Sequence, residues 1–300
     1  MNKIKIAIIG TGNIGTDLLV KINKSEFATC TLFAGRNPNS KGMNIAKSLN
    51  VPISDKGFLA IVDNPNVCDI VIDCTSAVYH AEHWEKLKNL NKLVIDMTPA
   101  KIGDFYIPAL NGMIADNLSR KIFYNLNKSL NINMVTCGGQ SIIPIAYALS
   151  SIHSDIEYLE VASNIASLSA GPATRYNLDE YLETTQKALS QFTGVKKTKA
   201  ILILNPATPC IDMQTTIYAK IKNPNMPAIT NAVNNIIAEI KKYVPGYQVI
   251  VPPTILNNNV MVTIKVLGAG DYLPAYAGNL DVINCAAMKL IEQYMKEVNV

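Results

Sequence analysis

Residues 6–19 read IAIIGTGNIGTDLL. An apolar, β-branched run ends at Gly10, and a helical pattern starts near Ile14. Between them Gly10, Gly12 and Gly15 stand in the order G-x-G-x-x-G. The triplet alone is a weak signal; a strand before it and a helix after it make it specific. In that setting Gly10 permits the tight turn, Gly12 lets the backbone approach a pyrophosphate, and Gly15 brings helix and strand together. The helix start then offers N–H donors and a positive dipole end to the phosphates. A glycine turn that holds no ligand is the plainer alternative.

Outward from this stretch, KIKIAIIG, TCTLFAG, CDIVIDCT, KLVIDMT and INMVTC read as short buried strands. IGTDLLVKINKS, GMNIAKSLN and AEHWEKLKNL read as helices between them. Buried strands alternating with helices imply βαβ units and a parallel sheet. The fold class is therefore α/β, with an N-terminal, doubly wound domain of Rossmann type. About 20 residues past the glycines such a domain carries an acid that accepts from the ribose 2′-OH of NAD. Here FAGRNPNSK puts Arg36 at that place, with Lys41 nearby. An arginine suits a 2′-phosphate, so NADP is acceptable beside NAD; a surface arginine in a loop is the alternative.

The second half changes character. IEYLEVASNIASLS, KAILILNPA, TTIYAKI and NVMVTIKVL alternate as half-buried strands, with helical LDEYLETTQKALSQF and MPAITNAVNNIIAEIKKYV among them. Strands in succession with helices on one face make an α+β domain. NLDVINCAAMKLIEQYMKEV is a last amphipathic helix.

Composition excludes several function classes. Of the 300 residues 49% are apolar and 17% charged, a balance that folds as a globule. The net charge is +4, and the basic runs are no longer than Lys196-Lys197 and Lys241-Lys242, which argues against nucleic acid. Six cysteines stand without a CxxC pair, so a zinc site has no support and no metal is expected. The opening MNKIKIAIIG is too short for a signal peptide, and no run is long enough to span a bilayer. A cytoplasmic chain with free thiols is expected. His80 and His83 have metal-ligand spacing on a helix but no third ligand, which leaves them at a solvated helix start; His153 reads as structural.

One thiol stands apart. Residues 133–140 read NMVTCGGQ, and a helix follows. Cys137 is either filler at a glycine turn or a nucleophile. The helix start would lower its pKa and supply N–H donors to an oxyanion. Beside a nicotinamide, a thiolate attacks an aldehyde, the thiohemiacetal gives hydride to the cofactor, and a thioester remains on the enzyme.

IAIIGTGNIGTDLL, DCTSA, IDMTPAKIG, NINMVTCGGQSIIP, SAGPATRYNLDEYLETTQKAL, KAILILNPATP, YVPGY and YLPAYAGNLDVINCAA occur in this order. Together they resemble the CoA-acylating acetaldehyde dehydrogenase family of meta-cleavage pathways, over nearly the whole chain. The resemblance implies a Rossmann domain at 1–136 and an α+β dehydrogenase catalytic and oligomerisation domain at 137–270. It also implies a C-terminal helix, 271–300, returning to the Rossmann domain. The implied reaction converts acetaldehyde or another small aldehyde, CoA and NAD to acyl-CoA and NADH, in aromatic hydrocarbon catabolism. The implied assembly is a homo-oligomer whose partner is a 4-hydroxy-2-oxoacid aldolase of the 4-hydroxy-2-oxovalerate type.

By motif position Cys137 carries the acyl thioester, and Thr11, Gly12, Asn13 and Ile14 line the phosphates. Ser167, Ser169, Ala170, Gly171, Pro172, Thr174 and Arg175 of SLSAGPATR approach the nicotinamide side, as does Asn279. Asn177 matches an asparagine near the thiol, where its amide would hold an oxyanion or a carbonyl; a helix N-cap is its other reading. Three features depart from the family. Arg36 replaces the ribose acid. MQTT stands for MRDT, so Thr215 replaces an acid that assists the cysteine, with Asp212 on the opposite strand face. TILNNNV, residues 254–260, is short. Two other readings stay open: a phosphate-dependent semialdehyde dehydrogenase, though no arginine cluster lies near Cys137, and a nucleotide-binding subunit that mainly scaffolds an aldolase.

Overall fold

Strand β1 (Ile4–Ile9) is buried except at Lys5, while β4 (Ile70–Asp73) and β5 (Leu93–Asp96) are buried throughout. Continuous burial of this kind is what a parallel strand covered on both faces requires. The computed structural model describes residues 3–111 and 129–298. The chain divides into two units, one of Met1–Met134, Asp271–Leu273 and Ala286–Val300, the other of Val135–Gly270 and Pro274–Cys285.

The first unit also contains α1 (Asn13–Asn23), β2 (Ala28–Ala34), α2 (Lys41–Ser48), β3 (Ile53–Ser54) and α3 (Leu59–Asp63). After β4 come α4 (Ala77–Leu87), then β5, β6 (Asp104–Phe105), α5 (Pro108–Asn111) and β7 (Leu130–Asn133). All strand pairs are parallel, in the order β3-β2-β1-β4-β5-β7-β6. The order reverses beside β1, so the glycine loop after β1 lies at the switch point where such sheets bind ligands. Asp73, Asp96 and Asn133 stand side by side in register, each closing its strand.

The second unit holds α6 (Cys137–Ile152), β8 (Tyr158–Ala166), α7 (Pro172–Tyr176), α8 (Leu178–Thr193) and β9 (Thr198–Asn205). Then follow β10 (Met213–Lys220), α9 (Met226–Lys241), β11 (Tyr247–Leu256), β12 (Asn259–Val266) and the start of α10 (Gly278–Val298). Its sheet runs β11-β12-β10-β8-β9, antiparallel except for the β8–β9 pair. β8 and β10 alternate between buried and half-exposed positions, the pattern of a sheet with helices on one face. α6 packs against α8, α9 and the sheet. α8 is opened by Asp179 and Glu180, favourable at a helix N-terminus, and closed by Gly194 at φ 75°. The fold is thus a doubly wound parallel domain plus an α+β domain, and α10 carries the chain from the second unit back into the first.

One strand adds to the sequence reading and one expectation needs correction. β11 was hidden by Pro252 and Pro253, which a strand tolerates only at an edge, and β11 is an edge strand. INMVTC is not one strand to the cysteine: β7 stops at Asn133, and Cys137 is the first residue of α6.

Candidate active site

In the first unit the three glycines do different work. Gly10 has φ 101°, and a Cβ there would lie 2.7 Å from the Cys74 carbonyl oxygen. A Cβ at Gly15 would lie 2.0 Å from the Gly10 carbonyl oxygen, so only glycine lets α1 sit this close to the loop. A Cβ at Gly12 would meet nothing within 4 Å: that face is open. α1 has neither a side-chain cap nor an acid in its first turn, which leaves its positive end to an incoming anion. The Ser40 hydroxyl caps α2 by accepting from Met43 N and donates to Thr11 Oγ1 at 3.0 Å, tying the glycine loop to α2. Arg36 follows β2, donates to the Tyr79 hydroxyl at 3.2 Å and lies 4.5 Å over that ring. These features fit a dinucleotide: an open glycine face, an uncapped helix start and a cation just after β2.

His80 and His83 are not at a solvated helix start. Both are buried, because α4 turns them onto the ends of the strands. His80 Nδ1 lies 3.0 Å and His83 Nδ1 2.7 Å from Asp73 Oδ2; His80 Nε2 lies 3.4 Å from Asp96 Oδ2. Burial alone would push the Asp73 carboxyl up, but hydrogen bonds from the two histidines hold it well below the usual carboxylate range. Asp96 has no such pair, and burial pushes it up to about 7. Burial pulls His80 down, yet Asp73 and Asp96 outweigh it and raise its pKa. Asn131 Nδ2 lies 2.8 Å from His80 Nε2 while its buried Oδ1 has no partner among the described residues. Turning that amide over would place an acceptor on Nε2, the arrangement an imidazolium wants. Asp73 and Asp96 end the near-identical runs IVID and LVID, a repeat the sequence displays but whose partners it hides.

In the second unit Cys137 is presented by a strained approach. Val135 has φ 62°, a region costly for a β-branched residue, on the order of 1–3 kcal/mol. Gly139 accommodates it, since a Cβ there would lie 2.6 Å from Val135 Cγ1. Thr136 caps α6, accepting from Gly139 N at 2.9 Å and held by Thr185 Oγ1 at 2.8 Å. Gly138 N donates to the Tyr181 hydroxyl at 3.0 Å, and that hydroxyl lies 3.7 Å from Cys137 Sγ. The first-turn donors expected for an oxyanion are thus already engaged at Gly138 and Gly139. The expected lowering of the thiol pKa is also overturned. Cys137 is partly exposed but densely surrounded, and burial raises its pKa more than Tyr181 and the Gly138 N–H lower it.

Thr215 is buried, opposite Ser163 across the β10–β8 pair. Its Oγ1 donates to Ser163 Oγ at 3.2 Å and lies 3.2 Å from Ser141 Oγ. Asp212 precedes β10 and lies 3.7 Å from Lys265 Nζ, a residue in register with Gln214 rather than Thr215. Arg175 folds back on its own loop, donating to the Ala170 carbonyl at 3.1 Å and to Ser167 O and Oγ at 2.9 and 2.8 Å. It thereby shapes the segment Ser167, Ser169, Ala170, Gly171, and a Cβ at Gly171 would meet nothing within 4 Å. Asn177 is buried at the N-cap position of α8, but its side chain does not make the cap bond. Asn279 is buried at the start of α10, and its Oδ1 has no hydrogen-bond partner among the described residues. An orphaned buried acceptor suits a ligand amide.

Residues 137–274 match the family model described as prokaryotic acetaldehyde dehydrogenase, dimerisation. Residues 5–102 match the one described as semialdehyde dehydrogenase, NAD binding domain. An acetaldehyde dehydrogenase of Pectobacterium atrosepticum is 61% identical over 290 residues, 97% of this chain and 95% of its own. The chain belongs to the acetaldehyde dehydrogenase family. The acetaldehyde dehydrogenase of Spirochaeta aurantia is 49% identical over 293 residues, 98% of this chain and 95% of that one. The crystal structure of aspartate semialdehyde dehydrogenase with NADP from Candida albicans aligns with TM-score 0.64 over 97% of this chain and 100% of its own. At 12% identity that likeness shows the shared fold. The acetaldehyde dehydrogenase match begins at Cys137 itself and takes in Ser163, the 167–177 segment, Tyr181 and Thr215. The NAD-binding match takes in the glycine loop, Arg36 and the histidine–aspartate network.

Proposed function

We propose that this chain is an acylating aldehyde dehydrogenase that converts acetaldehyde, or another small aldehyde, and CoA to acyl-CoA with NAD or NADP. The observation that carries it is Cys137 at the head of α6, a partly exposed thiol in contact with a phenol hydroxyl. The first unit would hold the dinucleotide through Gly10, Thr11, Gly12, Asn13, Ile14 and Gly15, with Arg36 at the ribose. In the second, Ser167, Ser169, Ala170, Gly171, Pro172, Thr174, Arg175 and Asn279 are the further cofactor-binding candidates. When bound, the dinucleotide supplies the hydride acceptor. Cys137 gives up its proton, its sulfur bonds to the carbonyl carbon, and the carbonyl π pair moves to oxygen as an oxyanion to which the Asn177 amide would donate. The C–H carbon surrenders hydride, the oxygen pair re-forms C=O, and an acyl thioester is left on Cys137. The CoA thiolate then adds to that carbonyl and expels the Cys137 thiolate.

Other parts of the reading concern assembly. The dimerisation match supports a homo-oligomer, and Ile203 of β9 with Ile250, Ile255 and Leu256 of β11 expose apolar side chains that a second copy would cover. An aldolase that releases the aldehyde is the proposed hetero-partner. Six free cysteines suit the cytoplasm. Among the described residues no helix is long and apolar enough to cross a membrane.

The test follows NADH and NADPH formation with acetaldehyde, propanal and an aromatic aldehyde, with and without CoA. The expected result is CoA-dependent reduction that falls on the order of 10³-fold or more in Cys137→Ala. Activity that persists in Cys137→Ala sinks the covalent route. Reduction driven by phosphate or arsenate instead of CoA assigns the semialdehyde reading, and no reduction at all in a chain that co-purifies with an aldolase assigns the scaffold reading.

A further inference from the structure

A thiol must ionise to attack, and burial opposes ionisation at Cys137. The groups that favour the thiolate are the Tyr181 hydroxyl and backbone N–H groups of Cys137 and Gly138; no carboxylate is among them. The phenol is therefore the side chain that bears on the thiolate.

Tyr181 stands on the second turn of α8, buried, with its hydroxyl 3.7 Å from Cys137 Sγ. Two donors reach the phenol oxygen: the Gly138 N–H at 3.0 Å and the Ser163 hydroxyl. Ser163 accepts from Thr215 Oγ1 at 3.2 Å, which leaves its own proton available to Tyr181. Ser141 Oγ lies 3.2 Å from Thr215 Oγ1 but gives its proton to the Gly138 carbonyl at 2.7 Å, at the head of α6. Ser141, Ser163 and Thr215 are buried, so solvent does not compete for these bonds. In the neutral thiol the Sγ–H faces the phenol oxygen; once the thiol has ionised, the phenol has one proton to give and the sulfur becomes its acceptor. Gly138 makes the contact possible, since a Cβ there would lie 2.2 Å from the Tyr181 hydroxyl and 2.8 Å from Ser163 Oγ.

We propose that Tyr181 is a catalytic residue: its hydroxyl donates to the Cys137 sulfur and stabilises the thiolate, and Ser163, Thr215 and Gly138 are positioning residues that aim it. This rests on Cys137 being the nucleophile. The thiol proton leaves to solvent and the phenol keeps its own proton, so no further base is required. Thr215 serves here as a neutral relay that sets the direction of these hydroxyl bonds, a task a hydroxyl performs and a valine cannot.

The experiment measures the rate of iodoacetamide alkylation of the Cys137 peptide against pH, by mass spectrometry, in wild type, Tyr181→Phe and Thr215→Val. Phenylalanine keeps the ring packing and removes only the hydroxyl. The expected result for Tyr181→Phe is an apparent thiol pKa about one unit higher and alkylation near neutral pH about tenfold slower, with kcat lowered and the aldehyde KM little changed. Thr215→Val is expected to shift the profile the same way by less, and it carries the test if Tyr181→Phe does not fold. A wild-type pH profile in whichever variant folds overturns the proposal. The readout needs neither aldehyde nor CoA, so it stands apart from the Cys137→Ala assay that tests the overall reaction.

Discussion

Arg36 follows β2, its guanidinium is held over the Tyr79 ring at 4.5 Å, and we propose that it meets the ribose. A carboxylate there would repel a 2′-phosphate; a guanidinium attracts it. Arg36→Asp should therefore lower the ratio of NADP to NAD efficiency by about ten- to a hundredfold, read as kcat/KM for each cofactor. A ratio unchanged by the substitution would return Arg36 to the surface-loop reading. The glycine triplet, Arg36 and Cys137 each stand out within a few positions of sequence, because the chemistry proposed for them is local. Tyr181 does not, because it lies 44 residues from Cys137 and meets it only through helix packing. Val135 was equally silent, since nothing in NMVTCGGQ says that its valine must adopt φ 62°.

At the level of elements, the ends of β4, β5 and β7 form one row, Asp73, Asp96 and Asn133, capped by His80 from α4. The alternation of strands and helices was legible from apolar runs, but register is a property of pairing and no single strand contains it. The same row sets a pH dependence. Asp96 has an ordinary pKa of 3.8 and is pushed up to about 7 by burial, so the folded chain keeps a proton that the unfolded chain loses. His80, raised above 6.5, does likewise at higher pH. For both groups the folded state binds more protons, so their combined contribution to stability declines as pH rises, from about 4 through about 7 for Asp96 and from 6.5 upward for His80. Asp73, held low, contributes stability above 3.8 that is lost only as pH falls further. The midpoint of thermal unfolding should accordingly fall between about pH 5.5 and about pH 8.5, and Asp96→Asn, which cannot titrate, should flatten that slope. Parallel slopes for the two proteins would show that Asp96 carries no proton into the fold.

For the molecule as a whole, the two units carry different sheets: the parallel one bears the glycine loop proposed to hold a dinucleotide, and the mixed one lies in the unit that bears the proposed nucleophile Cys137. The whole-chain pattern was visible in the sequence because burial imposes continuous apolar runs on one sheet and alternation on the other. Edge strand β11 escaped, its prolines being compatible only with an edge the sequence does not mark. The central claim is that acyl transfer passes through Cys137. The direct measurement is peptide mass spectrometry after mixing the protein with acetaldehyde and NAD in the absence of CoA, then again after CoA is added. The account predicts an acetyl group on the Cys137 peptide that CoA removes. NADH formed with the Cys137 peptide never acylated would contradict it.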